Sequence, residues 1–180
     1  MCSSDRCLSR TLRMPLSIAL VDDSKSFLSY MEQGMHHLQN ETGGEALSIQ
    51  KYASGEQFIK AIPSESFDVV LLDHDLPGID GVQVLNIVRN FDHHLPVGFV
   101  VDQIKKPAQD TLSNKQAQFV LEKNESILTD LLSHLTRINE EKLLAKRLAE
   151  LQTKERIYRY WMIGLSITIL AVIVALLMIL

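Results

Sequence analysis

Residues 67–81, FDVVLLDHDLPGIDG, constrain the fold more than any other stretch of this chain. Phe67 and the unbroken apolar run over residues 69–72 have the pattern of a strand buried on both faces, as in a parallel sheet. The run ends in two carboxylates, Asp73 and Asp75. A Pro77-Gly78 turn follows, then Asp80-Gly81 and a new apolar helix. An acid delivered to the carboxyl end of a buried strand is the usual placement of a site in an open α/β sheet.

The segments before and after this strand repeat one rhythm. Leu16–Val21 (LSIALV) reads as a strand that stops at Asp22-Asp23-Ser24, residues that end a strand and cap a helix. Phe27, Leu28, Met31, Met35 and Leu38 then recur at helical spacing over residues 24–38. Leu47–Tyr52 alternates as a second strand, and Ser54-Gly55-Glu56 opens a short helix closed by Pro63. A helix over residues 82–90 follows the central strand, carrying Val84, Leu85, Ile87 and Val88. Strand and helix alternate three times, the signature of βαβ units around a parallel sheet. In a doubly wound sheet the first and third strands are neighbours ending at the same rim, so Asp22 and Asp23 are expected beside Asp73. Three carboxylates need a compensating cation, and oxygen-only ligands suit Mg²⁺. The chemistry this permits is attack by the Asp73 carboxylate on a phosphoryl group, giving an aspartyl phosphate.

These residues resemble the receiver domain of two-component response regulators. That family carries a hydrophobic strand, an Asp, a short variable stretch, Pro-Gly and Asp-Gly, and Asp73 falls on its phosphoacceptor. The resemblance implies a flavodoxin-like doubly wound α/β fold of four or five strands. It implies Mg²⁺ as cofactor, with Asp23 as the closer ligand, Asp22 acting through water, and Asp75 lending its backbone carbonyl. It also implies a partner that supplies the phosphoryl group, a histidine kinase or phosphotransfer protein. Receiver domains end in a strand closed by Lys-Pro. Residues 98–107, GFVVDQIKKP, resemble that strand, which makes Lys106 the expected phosphoryl contact. On this alignment one strand-helix unit is missing. The family's fourth-strand Thr or Ser has only Val100, Val101 and Asp102 as candidates, and its switch aromatic, three before the lysine, is matched by Gln103.

Beyond Pro107 the chain reads as long helix. Leu128, Leu131, Leu135 and Ile138 form one apolar stripe, and Leu144, Leu148 and Leu151 another, offset from it. Residues 161–180, WMIGLSITILAVIVALLMIL, run from Trp161 to Leu180 with no charge. At a rise of about 1.5 Å per residue such a stretch spans one hydrocarbon core. Lys154, Arg156 and Arg159, mixed with Tyr158 and Tyr160, mark its cytoplasmic flank.

The expected organisation is an N-terminal tail over residues 1–13, a receiver-like domain over 14–122, a coiled-coil linker over 123–157 and a membrane anchor over 158–180. Met14 competes with Met1 as the start. A formal net charge of −4 and the lack of a basic cluster in the domain argue against nucleic acid as a partner. Cys2 and Cys7 are too few for a disulfide framework and lack companions for a zinc site, consistent with a reducing cytoplasm. The expected protein is a receiver at the inner membrane. It has a single-pass C-terminal anchor, its domain in the cytoplasm, a possible homodimer through the coiled coil and no output domain. One rival is an unphosphorylated pseudo-receiver acting as a tethered interaction platform. A weaker rival starts from Asp73-His74-Asp75, which faintly matches the Asp-x-Asp of haloacid-dehalogenase-type phosphatases.

Overall fold

The computed structural model describes residues 15–42, 47–103 and 117–179. The chain forms two compact units, Met1–Glu140 and Glu141–Leu180. The first contains a parallel sheet of five strands: β1 (Leu16–Val21), β2 (Leu47–Tyr52), β3 (Val69–Asp73), β4 (Val97–Val101) and β5 (Phe119–Glu122). Their spatial order is β2-β1-β3-β4-β5, the flavodoxin-like arrangement, with β1 and β3 adjacent as the alternation implies. The helices are α1 (Lys25–Thr42), α2 (Gly55–Ala61), α3 (Gly81–Phe91) and α4 (Ile127–Ile179).

Each strand alternates between two cores because successive side chains leave a strand on opposite faces. Leu16, Ile18 and Leu20 of β1, with Val69 and Leu71 of β3, pack on one side against Leu28, Met31 and Met35 of α1. Ile127, Leu131, Leu135 and Ile138 of α4 close the same core. Ala19, Val21, Val70 and Leu72 face the other side, against Phe58 of α2 and Val84, Leu85 and Val88 of α3. The central strands are buried throughout, which explains why their sequences are apolar runs rather than alternating ones.

The sheet is not short of a strand. The segment expected to be the last strand, beginning at Gly98, belongs to β4, which pairs with β3 from Val70↔Val97 to Asp73↔Val100. The final strand is β5, whose pairing with β4 runs from Gly98↔Phe119 to Val101↔Glu122. It falls inside the stretch the sequence reads as continuous helix. A Cβ on Gly98 would strike the Phe119 ring, so the two strands close up through that glycine. Phe119 in turn stacks on His134 of α4, with ring centroids 4.3 Å apart.

The first apolar stripe of α4 is consumed by this core, since Leu131, Leu135 and Ile138 are buried against the sheet. Leu144, Leu148 and Leu151 of the second unit are exposed. Among the described residues α4 is the one helix long and apolar enough to cross a membrane, by length and composition.

Phe119 distinguishes the two assignments of its segment. In β5, Phe119→Ala removes a buried ring and is expected to destabilise the first unit by about 3–5 kcal/mol. An exposed helical position would change stability by no more than about 0.5 kcal/mol. Urea-dependent amide exchange of the β4 and β5 amides in the full chain measures the difference.

Candidate functional site: an acidic pocket closed by Lys123

Three strand ends meet at the carboxyl edge of the sheet. β1 ends one residue before Asp22, β3 ends in Asp73, and β5 is followed by Lys123. Asp22 is locked by its own backbone, because its N–H donates to the Tyr52 carbonyl (3.1 Å) and its Oδ1 accepts from the Ser24 N–H (2.8 Å). The Ser24 hydroxyl oxygen accepts from the Phe27 N–H (3.3 Å), so the same tripeptide ends the strand and starts α1. Asp73 is held as the last residue of a buried strand, with the His74 N–H donating to the Val100 carbonyl (3.1 Å).

The loop after Asp73 turns tightly into α3, and two glycines permit it. Gly78 sits at φ +85°, a conformation other residues rarely adopt. Gly81 begins α3 so close to β3 that a Cβ there would collide with the Asp73 carbonyl. Asp80 caps that helix, its Oδ1 accepting from the Gln83 N–H at 2.7 Å.

Carboxylate oxygens of Asp22, Asp23 and Asp73 lie within 4.8 Å of one another. Asp22 and Asp73 are buried and Asp23 is exposed, so the cluster opens to solvent on the Asp23 side. Lys123 Nζ lies 2.8 Å from Asp22 Oδ2, 3.3 Å from Asp73 Oδ2 and 3.9 Å from Asp102 Oδ1. It also sits 4.8 Å from the centre of the Phe27 ring, a cation–π contact. The ammonium forms a short ion pair with the buried Asp22 Oδ2.

Burial pushes the Asp73 carboxyl above its ordinary range, and the charge of Asp22 adds to the effect. Lys123 and the Asp75 backbone pull it back without cancelling the rise. Burial alone would lower the Lys123 ammonium, but the neighbouring carboxylates of Asp22 and Asp73 outweigh it and hold it above its usual value. Among the described residues, one ammonium stands among these three acids, which leaves an excess of negative charge. Three clustered carboxylates, two buried and one facing solvent, fit a hard divalent cation such as Mg²⁺.

The structure brings together Asp22, Asp23 and Asp73. Lys106 lies outside the described residues, and the ammonium in the pocket is that of Lys123. The Lys-Pro pair at residues 106–107 is a more conspicuous strand-end signal than Lys123-Asn124. The available clue was the Phe-Val-Leu run before Glu122-Lys123. With the strands assigned, β4 ends in Val101, so that residue stands where the family carries its hydroxyl. Three before Lys123 stands Val120, at the family's aromatic position. The side chain of Asp75 is exposed and meets His74 Nδ1 at 2.7 Å. Asp73 ends the third strand in the chain, whereas the phosphatase motif belongs on the first.

A five-stranded parallel sheet in this order, with clustered acids and a lysine at its carboxyl edge, defines a flavodoxin-like fold with a receiver-type pocket. Residues 18–135 match the family described as response regulator receiver domain, and the chain belongs to that family. It is 31% identical over 101 residues to the heme response regulator HssR of Staphylococcus aureus (strain bovine RF122), covering 56% of this chain and 39% of that protein. It is 27% identical over 105 residues to HssR of Staphylococcus epidermidis, covering 58% and 41%. The chain thus spans about two fifths of the length of these relatives. Among solved structures, the signal receiver domain of a putative LuxO repressor protein from Vibrio parahaemolyticus matches with a TM-score of 0.62 at 24% identity. That match covers 73% of this chain and 98% of the other. The BeF3-activated DrrB receiver domain matches with a TM-score of 0.60 at 23% identity, covering 71% and 99%. The family is one of signalling domains.

Titration of the Asp73 carboxyl, followed by ¹³C NMR, tests the pocket's electrostatics. Lys123→Met removes the counter-charge and moves the midpoint further up, whereas Asp22→Asn removes a repelling charge and moves it down. An acid whose folded value is raised binds its proton more tightly folded than unfolded. Asp73 therefore contributes less stability as pH rises from the unfolded carboxyl value through the folded one. The contribution of Lys123 is fully present below the unfolded lysine value and is lost as pH climbs through the folded one.

Proposed function

We propose that this chain is a membrane-tethered response-regulator receiver that accepts a phosphoryl group on Asp73. A histidine kinase or phosphotransfer protein would supply it. The observation that carries this reading is the position of Asp73, buried at 6% exposure with Lys123 3.3 Å away and Asp22 and Asp23 clustered beside it. A carboxylate oxygen of Asp73 attacks phosphorus as the phosphorus–nitrogen bond of the donor's phosphohistidine breaks. The electron pair leaves with the imidazole, and an aspartyl phosphate remains. Lys123 exchanges part of its contact with the carboxylates for a phosphoryl oxygen. Asp22, Asp23, Asp73 and the Asp75 backbone carbonyl would hold Mg²⁺. When bound, that ion would neutralise the phosphoryl oxygens and favour the ionised form of Asp73.

Val101 and Val120 favour a second reading. With neither hydroxyl nor aromatic at those positions, phosphorylation has no familiar route to a surface change. A pseudo-receiver serving as a tethered interaction platform is then the alternative. Incubation of the full chain in detergent with Mg²⁺ and acetyl phosphate separates the two. Phosphoprotein that disappears in Asp73→Asn supports the first reading, and no uptake under any condition leaves the platform.

The tether rests on the uncharged part of α4 beginning at Trp161. Its described side chains are exposed, and Lys154, Arg156 and Arg159 precede it. A single span with the receiver on the cytoplasmic side of the inner membrane satisfies this pattern. The Leu144, Leu148 and Leu151 stripe offers a site for coiled-coil pairing into a dimer. The full chain is expected to stay with membranes through alkaline carbonate extraction. Leu165→Arg with Ile169→Arg, each costing about 2.5–3.5 kcal/mol at a helix centre, should release it.

A further inference from the structure

Lys123 faces a third carboxylate besides Asp22 and Asp73. Asp102 follows the last residue of β4, in a bend, with a side chain 82% exposed, and its Oδ1 lies 3.9 Å from Lys123 Nζ. Lys123 itself is anchored below, its backbone N–H donating to the Val101 carbonyl at 2.8 Å. Its ammonium therefore lies between two buried acids, Asp22 and Asp73, and one acid at the solvent edge. An anion that reaches Asp73 must draw the same ammonium away from these carboxylates. Val101, the neighbour of Asp102 at the strand end, has no polar atom on its side chain to offer that anion. Asp102 and Val101 together make the rim of the pocket hostile to negative charge, while the acids below attract a cation.

We propose that Asp102 is a specificity-determining residue of this pocket, restraining entry of phosphoryl-type anions by sharing Lys123 and by repelling them directly. The inference rests on the phosphoacceptor reading of Asp73. Asp102 acts on the anion and on the metal with opposite sign. Removing its charge frees Lys123 for an incoming anion, and it also removes a negative charge that favours a cation nearby. A simple loosening of the fold would weaken both.

The test uses the full chain in detergent, with beryllofluoride formed from beryllium chloride and sodium fluoride as the probe and ¹⁹F NMR as the readout. Asp102→Asn is expected to tighten beryllofluoride binding in Mg²⁺ by about two- to fivefold, the scale of a partly exposed ion pair. Mg²⁺ affinity without fluoride should be unchanged or weaker. Asp102→Glu, which keeps the charge, should stay near the parent value. Beryllofluoride affinity that is unchanged or weaker in Asp102→Asn overturns the inference. No bound fluoride signal in the parent chain or in Asp102→Asn with Val101→Thr overturns the phosphoacceptor reading itself, and the inference with it.

Discussion

The ammonium of Lys123 between Asp22 and Asp73 is the contact on which the carboxyl edge of the sheet depends. β1 and β3 each bring a buried acid to the same place, and burying a charge without a partner is strongly unfavourable. That cost is offset by the fifth strand, which pairs parallel to β4 and places Lys123 one residue beyond Glu122. The order of the strands and the chemistry of the pocket are therefore one constraint. A chain with β1 and β3 adjacent, each ending in a buried acid, needs a cation at this point, and β5 is where it comes from. The Phe27 ring beneath the ammonium adds an apolar wall that steers the side chain toward the acids.

The same contact is incomplete by design of charge. Lys123 is shared between Asp22 and Asp73, and Asp73 stays above its usual range despite Lys123. A pair that fully satisfied both acids would have no reason to accept a metal or a new phosphoryl group. Perturbed carboxyls of this kind concentrate at functional sites.

How far the sequence discloses this depends on whether a signal is local. The buried strand ending at Asp73, the Asp22-Asp23-Ser24 stop and the Pro77-Gly78 turn are local. They also suffice to pair β1 with β3, because parallel βαβ units admit few topologies. β5 is not local. Gln118, Glu122 and Lys123 flank only three apolar residues, in a stretch without Gly or Pro, and nothing in that composition opposes a helix. Pairing with β4 and the stack of Phe119 on His134 decide its conformation, and tertiary contacts of this kind override propensity. The Lys-Pro at residues 106–107, which lies outside the described residues, is the more conspicuous strand-end signal in the sequence. The placement of Val101 and Val120 follows from the pairing of β4 with β5.

The stripe on α4 shows the same limit in another form. Leu128, Leu131, Leu135 and Ile138 repeat as a coiled-coil seam would, yet three of them are buried against the sheet. A helix lying on a sheet and a helix paired with its twin need the same periodicity, and only the partner distinguishes them. Leu144, Leu148 and Leu151 remain exposed. Carried forward, their 4-3 spacing reaches Glu155 and then Tyr158 before the uncharged segment. In a parallel pair the two Glu155 carboxylates would face each other in the seam, and a charged seam position costs stability while restricting how the helices can pair. Three leucines per chain are a small seam to set against that repulsion. The three leucines alone are therefore a weak basis for pairing two chains.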